Sequence, residues 1–234
     1  MAFPTYDESY LAAVTPRHLT PEKAHQKVAF KVIQTVRGAF DVATGYSDDM
    51  TEAQWLRRMI FLETVAGVPG MVAGMLRHLR SLRRMERDNG WINTLLQEAE
   101  NERMHLLTFM TLRNPGILFR SMVILAQGAF FNAFFLAYLV SPRTCHALVG
   151  YLEEEAVKTY THALKDIDAG KLWPGTPAPA IAASYWRLPP GASMRDVILA
   201  VRADEAGHSS VNHTFSNIPQ DGPNPFRGGS QHEA

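Results

Sequence analysis

The chain has 234 residues, of which 46% are hydrophobic, enough to bury the core of one large domain. Lys plus Arg and Asp plus Glu number 23 each, so the charge balance makes no case for nucleic acid as a partner. Cys145 is the only cysteine, which excludes a disulfide framework and any thiolate cage for zinc or an iron–sulfur cluster and leaves metal chemistry to Asp, Glu and the nine His.

Residues 1–20 read as an irregular arm, because Pro4, Pro16 and Pro21 break any period. The opening MAFPTYDESY has the pattern of neither a signal peptide nor an organellar leader. A first helix is expected near 21–44, with Lys23, Lys27, Lys31 and Gln34 on one side, Ala29, Val32, Ile33, Val36 and Phe40 on the other, and Gly45 as its stop. Asp48 and Asp49 precede a second helix near 51–88. Pro69, flanked by Gly67 and Gly70, should bend this helix without ending it, since the apolar period resumes at once. Asn89-Gly90 separates it from a third helix near 91–113, which Asn114-Pro115-Gly116 ends.

The fourth helix, near 117–140, contains Ser121–Val140, twenty residues without a charge, of which sixteen are apolar. By hydropathy alone it would pass for a membrane span. Ser141-Pro142 opens a fifth helix near 143–168, and the connection 170–191, with Trp173, Tyr185 and Trp186, reads as an ordered loop. A sixth helix near 193–213 precedes a tail, 214–234, whose composition cannot form a core. The expectation is all-α: six long helices, with 21–213 forming a single domain.

Two of these helices carry the same unit, Glu102-Arg-Met-His105 and Glu205-Ala-Gly-His208. A three-residue step turns a helix by about 300°, so each Glu and its His point to nearly the same side. On the third helix that side reads Trp91, Leu95, Glu98, Glu102, His105 and Phe109, and on the sixth Ile198, Val201, Glu205, His208 and Asn212. Ionisable groups in such apolar stripes have to be paired, neutralised or bound to metal. Glu63 sits in the apolar run Ile60–Ala66, and Glu153 shares a face with His146, Val149, Ala156 and Tyr160. One Glu from each of two helices plus Glu-x-x-His from each of two others is the ligand set of a di-iron or di-manganese carboxylate bundle. Four carboxylates and two neutral imidazoles carry −4, which two divalent ions cancel. Without them, carboxylates about 5 Å apart repel by roughly 3 kcal/mol per pair, and six pairs exceed the stability of a domain. A metal-free site must therefore be largely protonated or disordered. The oxygen-rich set suits iron or manganese better than zinc, and no His-Glu-x-x-His is present. Helix geometry alone does not choose among Glu153, Glu154 and Glu155.

The fragments Leu62-Glu63-Thr64, Asn101-Glu102-Arg103-Met104-His105, Leu152-Glu153-Glu154-Glu155-Ala156 and Arg202-Ala203-Asp204-Glu205-Ala206-Gly207-His208, in this order, resemble the alternative oxidases over roughly residues 25–215. The resemblance implies a ferritin-like four-helix bundle with a non-haem di-iron site, plus two membrane-associated helices near 21–44 and 117–140. It implies a quinol oxidase that reduces O2 to water without proton pumping, with ubiquinol as the expected quinol, and a homodimer. It assigns iron ligation to Glu63, Glu102, His105, Glu153, Glu205 and His208, and a catalytic role to Tyr160. Asn101, Asp204 and Trp186, with Tyr185, become outer partners of the ligands. The quinol pocket maps onto Arg58, Leu62, Leu152, Glu155, Ala156 and Thr159, with Arg37 and Asp41 at its mouth, where an i,i+4 surface ion pair is the competing reading of the last two.

The family is monotopic. Ligands come from both sides of Ser121–Val140 and must meet in one bundle, so interfacial insertion is expected over a span. Arg77, Arg80, Arg83, Arg84 and Arg87 offer contacts to anionic headgroups, a solvated basic face or a dimer contact. Neither the regulatory cysteines of the plant enzymes nor a long leader is present, so thiol or 2-oxo-acid control is not expected, and a bacterial cytoplasmic membrane is preferred to a mitochondrial inner membrane. The competing functions are a di-iron quinone-ring hydroxylase, a ferritin-like iron-binding protein, and a helical scaffold with incidental glutamates.

Overall fold

The computed structural model describes residues 5–227; residues 1–4 of the arm and 228–234 of the tail lie outside the described residues. Six long helices form: α2 (Ala24–Thr44), α3 (Glu52–Arg84), α4 (Trp91–Leu112), α5 (Ile117–Val140), α6 (Pro142–Asp168) and α8 (Met194–Asn217). Two short ones join them, α1 (Glu8–Ala13) in the arm and α7 (Ala180–Tyr185) in the 170–191 connection. No strand occurs among the described residues beyond an isolated bridge between Pro177 and Ser193.

The bundle is two antiparallel pairs, α3 with α4 and α6 with α8. Each pair closes on a glycine. A Cβ on Gly70 would sit 2.6 Å from the Leu95 carbonyl oxygen, and one on Gly150 would sit 2.7 Å from the His213 ring. Pro69 lies inside a continuous α3, as its flanking glycines and resumed period required. One turn before it, the Thr64 carbonyl accepts from Gln127 Nε2 of α5 at 2.8 Å. Asn132, the other large polar residue of α5, donates to its own helix at Gly128 O.

Several boundaries differ from the expectation for physical reasons. Thr51, not the Asp pair, caps α3, its hydroxyl accepting from Gln54 N. The helix stops at Met85, short of 88, because Asp88 is used elsewhere: it accepts from Ile92 N at the start of α4 and from Arg77 Nε. Arg77 is therefore buried, stacked 4.1 Å from the Trp91 ring, and is no part of a basic face; Arg80 is paired with Asp221. The tail does join the core. After α8, Gly222 O accepts from Trp91 Nε1, Asn224 Nδ2 donates to Thr94 Oγ1, and Phe226 is buried against Trp91 and Phe215. The arm is equally tied down, with Leu11 O accepting from Arg202 and Leu19 N donating to Glu154.

Besides a small cluster of Ala29, Ile33, Ala147 and Tyr151 between α2 and α6, buried apolar residues fall into two layers. One contains Trp55, Ile60, Phe109, Tyr160, Ala163, Val197 and Val201. The other contains Val68, Val72, Trp91, Leu95, Val149, Val211 and Phe215. On all four bundle helices the Glu and Glu-x-x-His positions fall between the two, so a polar band crosses the centre of an otherwise apolar bundle. Outside the bundle, α2 rests on α6, and α5 rests on α3 and α6. Only Phe134 and Tyr138 of α5 are buried; Leu118, Leu125 and Leu139, like Val28, Val32 and Val36 of α2, face outward. Both α3 and α5 are long and apolar enough to cross a membrane, but half of α3's apolar window is buried in the protein, against 11% of α5's.

Candidate metal centre

Glu63 from α3, Glu102 and His105 from α4, Glu153 from α6, and Glu205 and His208 from α8 converge in the polar band, each nine-tenths or more buried. Their donor atoms form two sets, Glu63/Glu102/His105/Glu205 and Glu102/Glu153/Glu205/His208, and within each set the atoms lie within 4.8 Å of one another. Glu102 and Glu205 belong to both. Were two cations bound, these two carboxylates would be within reach of both, with Glu63 and His105 available to one and Glu153 and His208 to the other.

His105 Nδ1 lies 3.3 Å from Glu63, 3.4 Å from Glu205 and 3.6 Å from Glu102; His208 Nδ1 lies 2.8 Å from Glu102. Among the described residues, both Nδ1 atoms, Glu63 Oε2, both Glu102 oxygens and Glu205 Oε2 are buried without a hydrogen bond. Unsatisfied buried polar atoms are costly and rare. Their convergence on one point fits a bound cation, and the donor set, four carboxylates and two imidazoles, fits two ions of the iron or manganese type.

By side chains alone, protons balance the charge. Burial pushes Glu63 up to about 8 and raises Glu153 well above the carboxylate range. Burial would lower both imidazoles, but the carboxylates around them win: Glu102, Asp204 and Glu205 hold His105 protonated, and Glu102, with Glu98 and Glu205, lifts His208 to about 9. Binding of divalent cations would release those protons.

An outer layer fixes the ligands. Asp204, fully buried, accepts from His105 Nε2 at 3.0 Å, Trp186 Nε1 at 2.8 Å, Asn101 Nδ2 at 3.0 Å and the hydroxyl of Tyr6. The His105 proton on Nε2 leaves Nδ1 to face the carboxylates, the orientation a ligating histidine needs. Asn101 also donates to Tyr185. The family resemblance placed Asn101, Asp204, Trp186 and Tyr185 here, but not Tyr6. It reaches in from the arm, where no periodicity marks it. A second buried chain runs from Glu98 to Asn212 (2.9 Å), His146 (3.1 Å) and Tyr138 (3.1 Å). Glu98, His146 and Asn212 were visible on the inward stripes, without a role. Of the glutamate triplet, Glu153 turns to the cluster, while Glu154 is held by His18 and His213 and Glu155 by Arg37, Gln34 and Lys158.

Tyr160 donates to Glu63 and stacks on Phe109. Burial, then the charge of Glu63, raises its hydroxyl well above the phenol range, so it keeps its proton. It also lines a cavity of about 300 Å³ whose inner wall includes Glu63, Glu153 and Glu205 and whose outer wall includes Val32, Phe40, Ala126 and Phe130 of α2 and α5. Leu62, Leu152 and Ala156 supply its apolar sides, and Arg37, Arg58, Glu155 and Thr159 its polar end. Asp41 does not line the cavity. It stands behind, bonded to Arg37 Nε at 2.7 Å and to Arg58 Nη2 at 2.5 Å, so the Arg37–Asp41 pair is an i,i+4 ion pair and an anchor for Arg58 at once.

The family model described as Alternative oxidase matches residues 6–217. Proteins named "Alternative oxidase, mitochondrial" are similar along nearly the whole chain. That of Emericella nidulans is 55% identical over 233 residues, covering 94% of this chain and 66% of its own length. That of Aspergillus niger is 56% identical over 238 residues, covering 95% and 68%. That of Neurospora crassa is 50% identical over 244 residues, covering 94% and 67%. The chain thus spans about two thirds of the length of these relatives.

Proposed function

This chain belongs to the alternative oxidase family, and from that premise we propose that it is a membrane-associated quinol oxidase coupling the oxidation of two quinols to the reduction of O2 to water at a non-haem di-iron centre. The observation that carries the reading is the cavity that begins between the two outward apolar helices and ends on three carboxylates of the metal cluster and on Tyr160. A lipid-borne aromatic reductant entering from α2 and α5 would arrive next to the groups that hold the oxidant.

The polar end suits the two oxygens of a quinol. Arg58 is 1% exposed, and its Nε is a buried donor without a partner among the described residues. Glu155, with Thr159 beside it, offers an acceptor at the same end. The Leu62, Leu152 and Ala156 side chains flank the ring and exclude water. Two irons held by the cluster would, when bound, supply one-electron chemistry toward O2. At the inner end, Tyr160 holds its proton on the hydroxyl facing Glu63, a donor at the edge of the cluster. Two quinols lose four electrons and four protons, and O2 takes up four of each to give two waters, so the reaction balances without proton pumping.

The membrane contact we assign to α2 and α5, lying in one leaflet. The four bundle helices share one core, and α5, which connects α4 to α6, lies along α3 and α6, so a span by α5 would separate partners that are packed together. The relatives are named mitochondrial, and their names support a mitochondrial location over the expected bacterial one. A homodimer belongs to the same proposal.

The test is metal analysis and oxygen uptake on the purified protein. Two irons per chain and two short-chain ubiquinols consumed per O2 are expected, with activity abolished in Glu102→Ala and His208→Ala. Formation of hydroxylated quinone would point to the ring hydroxylase. Iron uptake without quinol oxidation would leave a ferritin-like protein, and no stoichiometric iron would end the metal reading.

A further inference from the structure

Arg37 and Arg58, two cations sharing the carboxylate of Asp41, would repel one another in a half-buried mouth. Beneath both lies the ring of Tyr46, whose centroid is 4.2 Å from the Arg58 guanidinium carbon and 5.0 Å from that of Arg37. The negative face of an aromatic ring attracts a guanidinium, most strongly where water is excluded. Tyr46 is held in turn. Gly45, left-handed at φ 64°, ends α2 and turns the chain toward the bundle. The Tyr46 hydroxyl meets His162 Nδ1 at 2.8 Å, and its ring stands edge-on to His162 and Trp55. His162 lies on α6, one turn past Thr159, which accepts from Arg37.

The result is a clasp around one guanidinium. Thr44 Oγ1 accepts from Arg58 Nη1 at 2.7 Å, Asp41 accepts from Nη2, and Phe40 lies 4.6 Å from the guanidinium carbon. All of these grips come from the last turns of α2 and from Tyr46, and they leave Nε buried without a partner among the described residues, on a side chain that lines the cavity. Without the ring beneath it, Arg58 can swing about its remaining bonds, and Nε no longer has a fixed direction.

We propose that Tyr46 is a positioning residue for quinol binding, acting through Arg58 and Arg37, and that His162 acts through Tyr46. This rests on the quinol reading above. It touches neither the metal ligands nor the reacting atoms, so it predicts a loss in substrate affinity and not in the chemical step.

The test uses the iron-loaded protein and three variants, Tyr46→Leu, Tyr46→Phe and His162→Leu. KM for a short-chain ubiquinol, kcat, iron content and, independently of turnover, Kd for the oxidised short-chain ubiquinone by calorimetry are measured. Tyr46→Leu is expected to raise KM and Kd together by about tenfold, as loss of a desolvated cation–π platform implies. In the same variant kcat and iron content should stay within twofold of the parent. Tyr46→Phe, which keeps the ring, should recover most of that loss, and His162→Leu should raise Kd about threefold. KM and Kd unchanged in Tyr46→Leu, or a fall in kcat at constant Kd, overturns the proposal. If Tyr46→Leu does not fold, an unchanged Kd in His162→Leu overturns it. A parent protein that neither binds ubiquinone nor oxidises ubiquinol overturns the quinol reading itself, and the clasp with it.

Discussion

Asp204→Asn removes one charge and almost no volume from the point where the arm, the 170–191 connection, α4 and α8 meet. Three donors, His105 Nε2, Trp186 Nε1 and Asn101 Nδ2, converge on Oδ2 at 2.8 to 3.0 Å, and Tyr6 takes Oδ1. Burial would raise the carboxyl, but the hydrogen bond and charge of His105 outweigh it and hold the group ionised below its usual range. Asparagine can place its oxygen toward the three donors and its amide toward the Tyr6 hydroxyl, which can turn to accept. The four bonds therefore survive as neutral ones. Hydrogen bonds to a charged group are worth about 1 kcal/mol more than neutral ones, so about 3 to 4 kcal/mol of stability should be lost, much of a domain's reserve. The bond to His105 would act directly on a metal held by that imidazole. A weakened outer partner of a ligating imidazole lowers metal affinity by about 10- to 100-fold. Competition of the D204N protein with a chromophoric Fe(II) chelator gives the second number and a thermal melt the first. An iron affinity within twofold of the parent, in a protein that melts several degrees lower, would refute the view that Asp204 aims His105 and leave it a purely structural hub.

Glu102→Gln and Glu205→Gln, which break carboxylates common to both donor sets, should reduce bound iron from two per chain to nearly none, whereas Glu63→Gln or Glu153→Gln should retain about one; equal losses in all four by elemental analysis would contradict the bridging assignment. Gly70→Ala forces a Cβ to within 2.6 Å of the Leu95 carbonyl and should cost about 2 kcal/mol, or about 4 to 8 °C in Tm. Gly128→Ala, with nothing within 4 Å of its Cβ, should leave Tm unchanged or slightly raised, and similar melts for the two would refute the close-approach argument. Burial lowers His146 from 6.5 to about 4, so the unfolded chain binds the extra proton between these values and stability falls as pH drops through that window. The contribution lost between pH 7 and pH 5 is about 2 kcal/mol, and His146→Gln should flatten the denaturation midpoint over that range by this amount; an unaltered slope would show that His146 is not held neutral.

The sequence already determined the six long helices and the inward side of the two Glu-x-x-His units, because both are local or periodic signals. Glu102 with His105 and Glu205 with His208 fall on one side of a helix whatever the tertiary fold, and an apolar stripe around them can only face inward. The two polar interruptions of α5, the uncharged run Ser121–Val140 of that helix and the continuity of α3 through Pro69 are legible for the same reason. What the sequence alone could not rank was the triplet Glu153–Glu155, where three consecutive carboxylates differ only in direction. The fold decides it by giving each a different neighbour: the metal cluster, the His18–His213 pair, and Arg37. Only the tertiary structure could show that Glu102 and Glu205 are shared between the donor sets, that Tyr6 reaches Asp204 across 198 positions of chain, that Asp88 leaves α3 to cap α4, or that Phe226 closes the bundle end. Each of these depends on the distance between segments remote along the chain, which no local pattern encodes; helix periodicity fixes which way a side chain faces, and packing alone fixes what it meets.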